Sequence, residues 1–129
     1  MDVQGFHHLA IQVTNLEVCS AFYRDVLGLP ELTRHFAIDG TLRSIWHRVG
    51  EGFLAIERAS ESARPPTLFR HGAPGLHLVA LRIRGADRTL VREALLARQI
   101  RIEHETRWTL YVRDPEGNRV GLSHHPADP

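Results

Sequence analysis

Residues 6–13 are rich in apolar and β-branched side chains, the composition of a strand. Asn15 then offers a helix cap, and Leu16, Cys19, Ala21, Phe22, Val26 and Leu27 recur near helical spacing. Gly28 and Pro30 end that helix. Residues 31–38, 42–49 and 53–58 follow as short strand-like runs, separated by Asp39-Gly40 and by Gly50-Glu51-Gly52. The pattern predicts a β-α-β-β-β unit. Residues 59–73 carry Ser, Pro65-Pro66 and Gly72 without periodicity and read as a connector.

The second half repeats the order. A strand is predicted over residues 76–83, and a helix over 86–98 with Leu90, Val91, Ala94 and Leu95 on one face. Strands follow at 100–105, 109–113 and 119–123. His8-Leu9-Ala10-Ile11-Gln12-Val13 lines up with His77-Leu78-Val79-Ala80-Leu81-Arg82, which points to an internal duplication. Neither half buries a sheet face alone. The expected fold is therefore α+β, with two paired β-α-β-β-β modules forming a curved mixed sheet cup. One domain would span residues 1–129, with repeats at about 1–60 and 74–126 and a linker at about 59–73.

Composition narrows the functions. Sixteen basic against fifteen acidic residues in 129 leave a net charge of +1, and no long basic run occurs, so nucleic acid is not an expected partner. No apolar run approaches the ~20 residues that span a bilayer, and no secretion-signal pattern opens the chain. A soluble, cytoplasmic protein without membrane contact is expected. The single cysteine, Cys19, permits no internal disulfide and no four-thiolate zinc site. All sixteen basic residues are Arg, which excludes Schiff-base and lysine-base chemistry. Nine His remain as the source of reactivity.

Several strings carry a resemblance. Gly5-Phe6-His7-His8-Leu9-Ala10-Ile11-Gln12-Val13, Phe22-Tyr23-Arg24-Asp25-Val26-Leu27-Gly28-Leu29, His77, and Arg113-Asp114-Pro115-Glu116-Gly117-Asn118 together resemble the vicinal-oxygen-chelate superfamily. That superfamily includes glyoxalase I, fosfomycin resistance transferases, methylmalonyl-CoA epimerase, extradiol dioxygenases and bleomycin resistance proteins. The motifs identify a scaffold that hosts many chemistries, so function must come from the site.

The resemblance implies a divalent metal held from the first and last strands of each module. His8, Glu57 and His77 match three ligand positions, and Gly121 stands where a fourth, a Glu, is usual. Two imidazoles and one carboxylate suit Fe, Mn, Ni, Co or Zn and leave positions open for substrate. His124 and His125 are further candidates, His125 sharing strand parity with Gly121. By alternation His7 is expected to face the helices. Tyr111 is expected to assist proton transfer, and Trp46, Arg119 and Ser123 to contact substrate. Cys19 is expected to be structural.

The implied activity is that of a metal-dependent lyase, isomerase or transferase acting on a small oxygen-chelating substrate, with Glu57 and Tyr111 catalytic. The alternative is a metal-free protein that sequesters a small molecule of antibiotic type, and a third reading is a ring-cleaving dioxygenase. A homodimer is expected, because open sheets leave edges for a partner to cover.

Overall fold

The computed structural model describes residues 1–60, 72 and 74–127. The chain divides into two compact units, Met1–Arg64 and Pro65–Pro129, each built on a four-stranded mixed sheet. Each sheet carries the β-α-β-β-β order read from the sequence. Most of the expected connector lies outside the described residues.

The first unit runs β1 (His8–Val13), α1 (Leu16–Ala21), a π-helical turn (Phe22–Val26), β2 (Glu31–Phe36), β3 (Leu42–Val49) and β4 (Gly52–Arg58). Its sheet order is β1-β4-β3-β2, with β1 parallel to β4 and the other pairs antiparallel. Asn15 caps α1 by accepting the Val18 N–H at 3.1 Å. The single long helix expected here is instead six α-helical residues followed by a wider turn. In that turn the Leu27 N–H donates to the Phe22 carbonyl at 3.1 Å and the Leu29 N–H to Tyr23 at 2.9 Å. Phe22 and Tyr23 are both buried and meet edge to face.

Strand alternation sorts the first sheet into two faces. Ile11, Val13, Ile45, Leu54 and Ile56 are buried on one of them, and α1 lies against β3 and β4. Cys19 is buried in this core, as a structural thiol would be. His47 is buried on the same parity as Ile45. Its Nε2 lies 2.8 Å from the Ser20 hydroxyl and its Nδ1 3.1 Å from the Leu29 carbonyl, which ties α1 and the chain leaving the π-turn to β3.

The second unit runs β5 (Val79–Arg82), a 3-10 turn (Gly85–Asp87), α2 (Arg88–Ala97), β6 (His104–Glu105), β7 (Thr109–Arg113) and β8 (Arg119–Ser123). Its order is β5-β8-β7-β6, with β5 parallel to β8. Leu95, Leu110, Val112, Val120 and Leu122 form the buried side. The turn from Asp114 to Asn118 is closed by the Asp114 carboxylate, which accepts the Glu116 N–H at 2.9 Å, the Asn118 N–H at 2.8 Å and the Asn118 Nδ2 at 2.9 Å. Gly117 takes the φ of +84° that this turn needs. In the first unit β1 starts at His8 and β2 ends at Phe36, two residues short of the expected runs, and two strands of the second unit are also shorter than expected. The strand read over 76–83 starts only at Val79, and the one read over 100–105 is reduced to His104–Glu105, although the Glu103 N–H still reaches the Tyr111 carbonyl.

Candidate functional site

The face of the first sheet opposite its buried side is organised in rows by the pairing register. His8 stands beside Phe53 and Arg48, Ala10 beside Ala55 and Trp46, and Gln12 beside Glu57 and Ser44. Rings cross this face from strand to strand. His8 stacks on Phe53 (4.8 Å, 6°), Phe53 on Trp46 (4.3 Å, 17°), and Trp46 meets His35 (4.4 Å, 53°). The pairing of small Ala55 opposite Trp46 lets the indole lean diagonally onto Phe53. The Trp46 Nε1 and His35 Nε2 are buried with no hydrogen-bond partner. Glu57 is half-buried, and among the described residues its carboxylate makes no hydrogen bond or ion pair.

His8 and Glu57 thus share one face but not one corner. Glu57 is four residues along β4 from Phe53, the partner of His8. At 3.3 Å per residue that offset is roughly 13 Å. His7 does not turn toward the helix, because it precedes the strand and alternation does not govern it. It is exposed, with Nδ1 2.8 Å from the His8 Nδ1 and its ring edge-on to Phe53.

The second sheet corrects the phase of the repeat. Val79 pairs with buried Val120 and Leu81 with buried Leu122, so Val79 and Leu81 belong to the buried side. Leu78, Ala80 and Arg82 then take the opposite face, and exposure alternates as in Ala10 to Val13 when Ala80 to Ile83 is aligned with it. Leu78, not His77, is the counterpart of His8. His77 precedes β5, and its Nε2 lies 3.0 Å from the Arg119 Nη1. A guanidinium only donates, so the His77 lone pair is directed at a cation.

Arg119, Gly121 and Ser123 line the same face as Leu78. The Arg119 guanidinium lies over the Tyr111 ring at 4.2 Å, and His104 flanks that ring on the next strand. The Ser123 hydroxyl accepts from Thr109 Oγ1 at 2.8 Å. Gly121 pairs with Ala80 and Tyr111 as Ala55 pairs with Ala10 and Trp46, which makes Ser123 the register counterpart of Glu57. Neither Gly121 nor Ser123 supplies a carboxylate. The space at Gly121 is also taken, since a Cβ built there would lie 2.8 Å from Leu78 Cδ1 and 3.3 Å from Thr109 Cγ2. His124 and His125 do not compensate. His124 is buried with Nδ1 on the Ala127 carbonyl, and His125 stands edge-on to Trp108.

The sequence model of the Glyoxalase/Bleomycin resistance protein/Dioxygenase superfamily matches residues 5–122. The chain belongs to that superfamily. Among solved structures it is similar to a lactoylglutathione lyase from Agrobacterium tumefaciens, at 25% identity and TM-score 0.71, covering 97% of this chain and 96% of that one. A glyoxalase/dioxygenase from Nostoc punctiforme gives 19% identity and TM-score 0.79 over 96% and 92%. The genomically encoded fosfomycin resistance protein FosX from Listeria monocytogenes, complexed with Mn(II) and a sulfate ion, gives 14% and 0.72 over 95% and 93%. These last two show the fold alone. Among curated proteins none matches the sequence.

Members of the superfamily commonly hold divalent metals, and among the described residues the donors of neither sheet, each taken by itself, fit one. Among the described residues no group of three His, Cys, Asp or Glu side chains gathers. On the first sheet His8 and Glu57 are offset by four residues, and on the second the corresponding positions are Leu78 and a glycine or serine. A metal needs its donors converging within about 2 Å of one point. Sequence reasoning missed Phe53, Gln12 and Leu78, although the parity of His8 and Glu57 was a usable signal for the first two.

Proposed function

We propose that this protein is a metal-independent small-molecule-binding member of the superfamily, taking flat, ring-bearing compounds in the manner of a sequestering protein. The observation that carries this reading is the row His8, Phe53, Trp46 and His35 across the open face of the first sheet. The His8, Phe53 and Trp46 rings are near-parallel at stacking distance and His35 is tilted against them by 53°, and together they form an apolar surface beside which a planar ligand can lie. The register counterparts on the second sheet support it, because Leu78 and Ser123 stand where His8 and Glu57 stand on the first and offer neither an imidazole nor a carboxylate.

Calorimetric titration of the protein with quinoline tests the reading. Binding in wild type that is lost in Trp46→Ala supports it, and no binding in either removes it. A second reading, a metal-dependent lyase, is favoured by the 25% identical lactoylglutathione lyase and by His8 and Glu57 sharing a face. Tight Ni(II) or Mn(II) binding abolished by His8→Ala would put that reading first. The proposed protein is a homodimer, since among the described residues β1 and β5 each end a sheet without a ladder partner. A single 14.6 kDa species by light scattering would exclude the dimer.

A further inference from the structure

We propose that the open face of the first sheet selects ligands whose flat ring carries a positive charge, the ring lying against His8, Phe53 and Trp46 and the charge directed at Glu57. The inference rests on the binding reading above and names the class of compound that this surface takes.

Three observations lead to it. The ring row ends at β1, where Ala10 stands exposed between His8 and Gln12. No long side chain rises from that position to cover the edge of the stack. Next, Glu57 sits two residues along β4 from Ala55, so its carboxylate is diagonal to Trp46 across the β3–β4 pair, with Cβ atoms roughly 7 Å apart. A fused bicyclic ring stacked beside Phe53 and Trp46 spans that distance. Finally, the carboxylate is half-buried and engages none of the described residues, and the Gln12 amide beside it is equally unengaged. A cationic ligand would pair with this carboxylate through charge-assisted hydrogen bonds.

Charges of the other sign on this sheet are placed so as not to compete. Arg48 is on the same face but pairs with Phe53, four residues from Glu57 along β4. That offset is roughly 13 Å, beyond the screening length of about 8 Å in physiological salt. Arg58 follows Glu57 on the opposite parity, and its Nε donates to the Leu42 carbonyl. Among the described residues the corresponding face of the second sheet carries no such carboxylate. Its corresponding rows hold Arg82, Arg113 and Arg119.

The test is calorimetric titration at neutral pH with three probes of one shape: 1-methylquinolinium, quinoline and quinoline-2-carboxylate. The expected order of affinity is cation, then neutral ring, then anion. Glu57→Gln should weaken 1-methylquinolinium by about fivefold and leave quinoline unchanged. Equal affinity for the three probes, or a cation preference that survives Glu57→Gln, overturns the inference while leaving the binding reading in place. Binding of none of the three overturns both. If Glu57→Gln fails to fold, a sodium chloride series on wild type decides. Affinity for 1-methylquinolinium must fall with salt while that for quinoline stays flat, and two flat series overturn the inference.

Discussion

The Ser20 hydroxyl and the His47 Nε2 lie 2.8 Å apart with both residues fully excluded from solvent. The Nδ1 of the same ring lies 3.1 Å from the Leu29 carbonyl, so the neutral tautomer with its proton on Nδ1 satisfies both ends. Burial holds the His47 pKa below its ordinary value, while the Leu29 carbonyl and Glu31 act in the opposite direction and Arg24 and Arg34 reinforce the lowering. The folded chain therefore binds fewer protons at this residue than the unfolded chain does. Its contribution is complete above the ordinary histidine value of about 6.5 and is lost as pH falls toward the depressed folded value. Urea unfolding of wild type should show stability dropping between pH 7 and pH 5, with a shallower drop in His47→Asn. Identical slopes would remove His47 as the source.

At neutral pH, Ser20→Ala leaves the buried His47 Nε2 without its donor. The expected loss is about 1–2 kcal/mol in urea midpoint experiments, with the fold retained. A variant as stable as wild type would mean that the hydroxyl bond makes no net contribution.

Asp114 closes its turn with three accepted hydrogen bonds and is nearly buried. Asp114→Ala orphans three donors at once, for an expected loss of about 3 kcal/mol, while Asp114→Asn keeps part of the set and costs less. Equal midpoints for the two variants would show that the carboxylate is not what holds the β7–β8 turn.

Two glycines have tight surroundings of different kinds. A Cβ at Gly52 would meet the His7 carbonyl oxygen at 2.7 Å, a backbone atom held by the start of the parallel ladder. At Gly121 the nearest atom is the end of the Leu78 side chain, which can rotate. Gly52→Ala should therefore lower the thermal midpoint by more than Gly121→Ala. The larger Gly121→Glu should lose about 1–3 kcal/mol by overpacking and gain no affinity for Ni(II) in calorimetry. Tightened metal binding in Gly121→Glu would restore the metal reading.

Trp46 stacks on Phe53 and meets His35, so truncation removes contacts with two strands at once. Trp46→Ala should cost about 2 kcal/mol in urea unfolding, less than a fully buried tryptophan because the residue is only partly buried. Trp46→Phe should recover most of it. No difference between Ala and Phe would show that the ring row contributes nothing to the sheet.

What the sequence determined by itself was the succession of elements and the local chemistry of their ends. Apolar and β-branched runs between turn residues located the strands, Asn15 announced its helix, and Asp114 to Asn118 announced a tight turn, because a cap or an Asx turn is decided within four or five residues. The parity of β1 and β4 was legible too, since polar His8, Gln12 and Glu57 alternate with apolar neighbours.

The phase of β5 was not legible. Leu78, Val79, Ala80 and Leu81 are all apolar, so alternation has no contrast there, and matching His77 to His8 chose the wrong parity. Only pairing with Val120 and Leu122 decided it, because burial of those two side chains fixes which face of the neighbouring strand is inside. The π-turn after α1 was equally hidden, since the apolar spacing of Phe22, Val26 and Leu27 fits either helix. Residue types along the chain named the candidates His8, Glu57 and His77. Strand register, a long-range property set by packing, decided that His8 and Glu57 share one face of the first sheet four residues apart and that His77 lies outside β5.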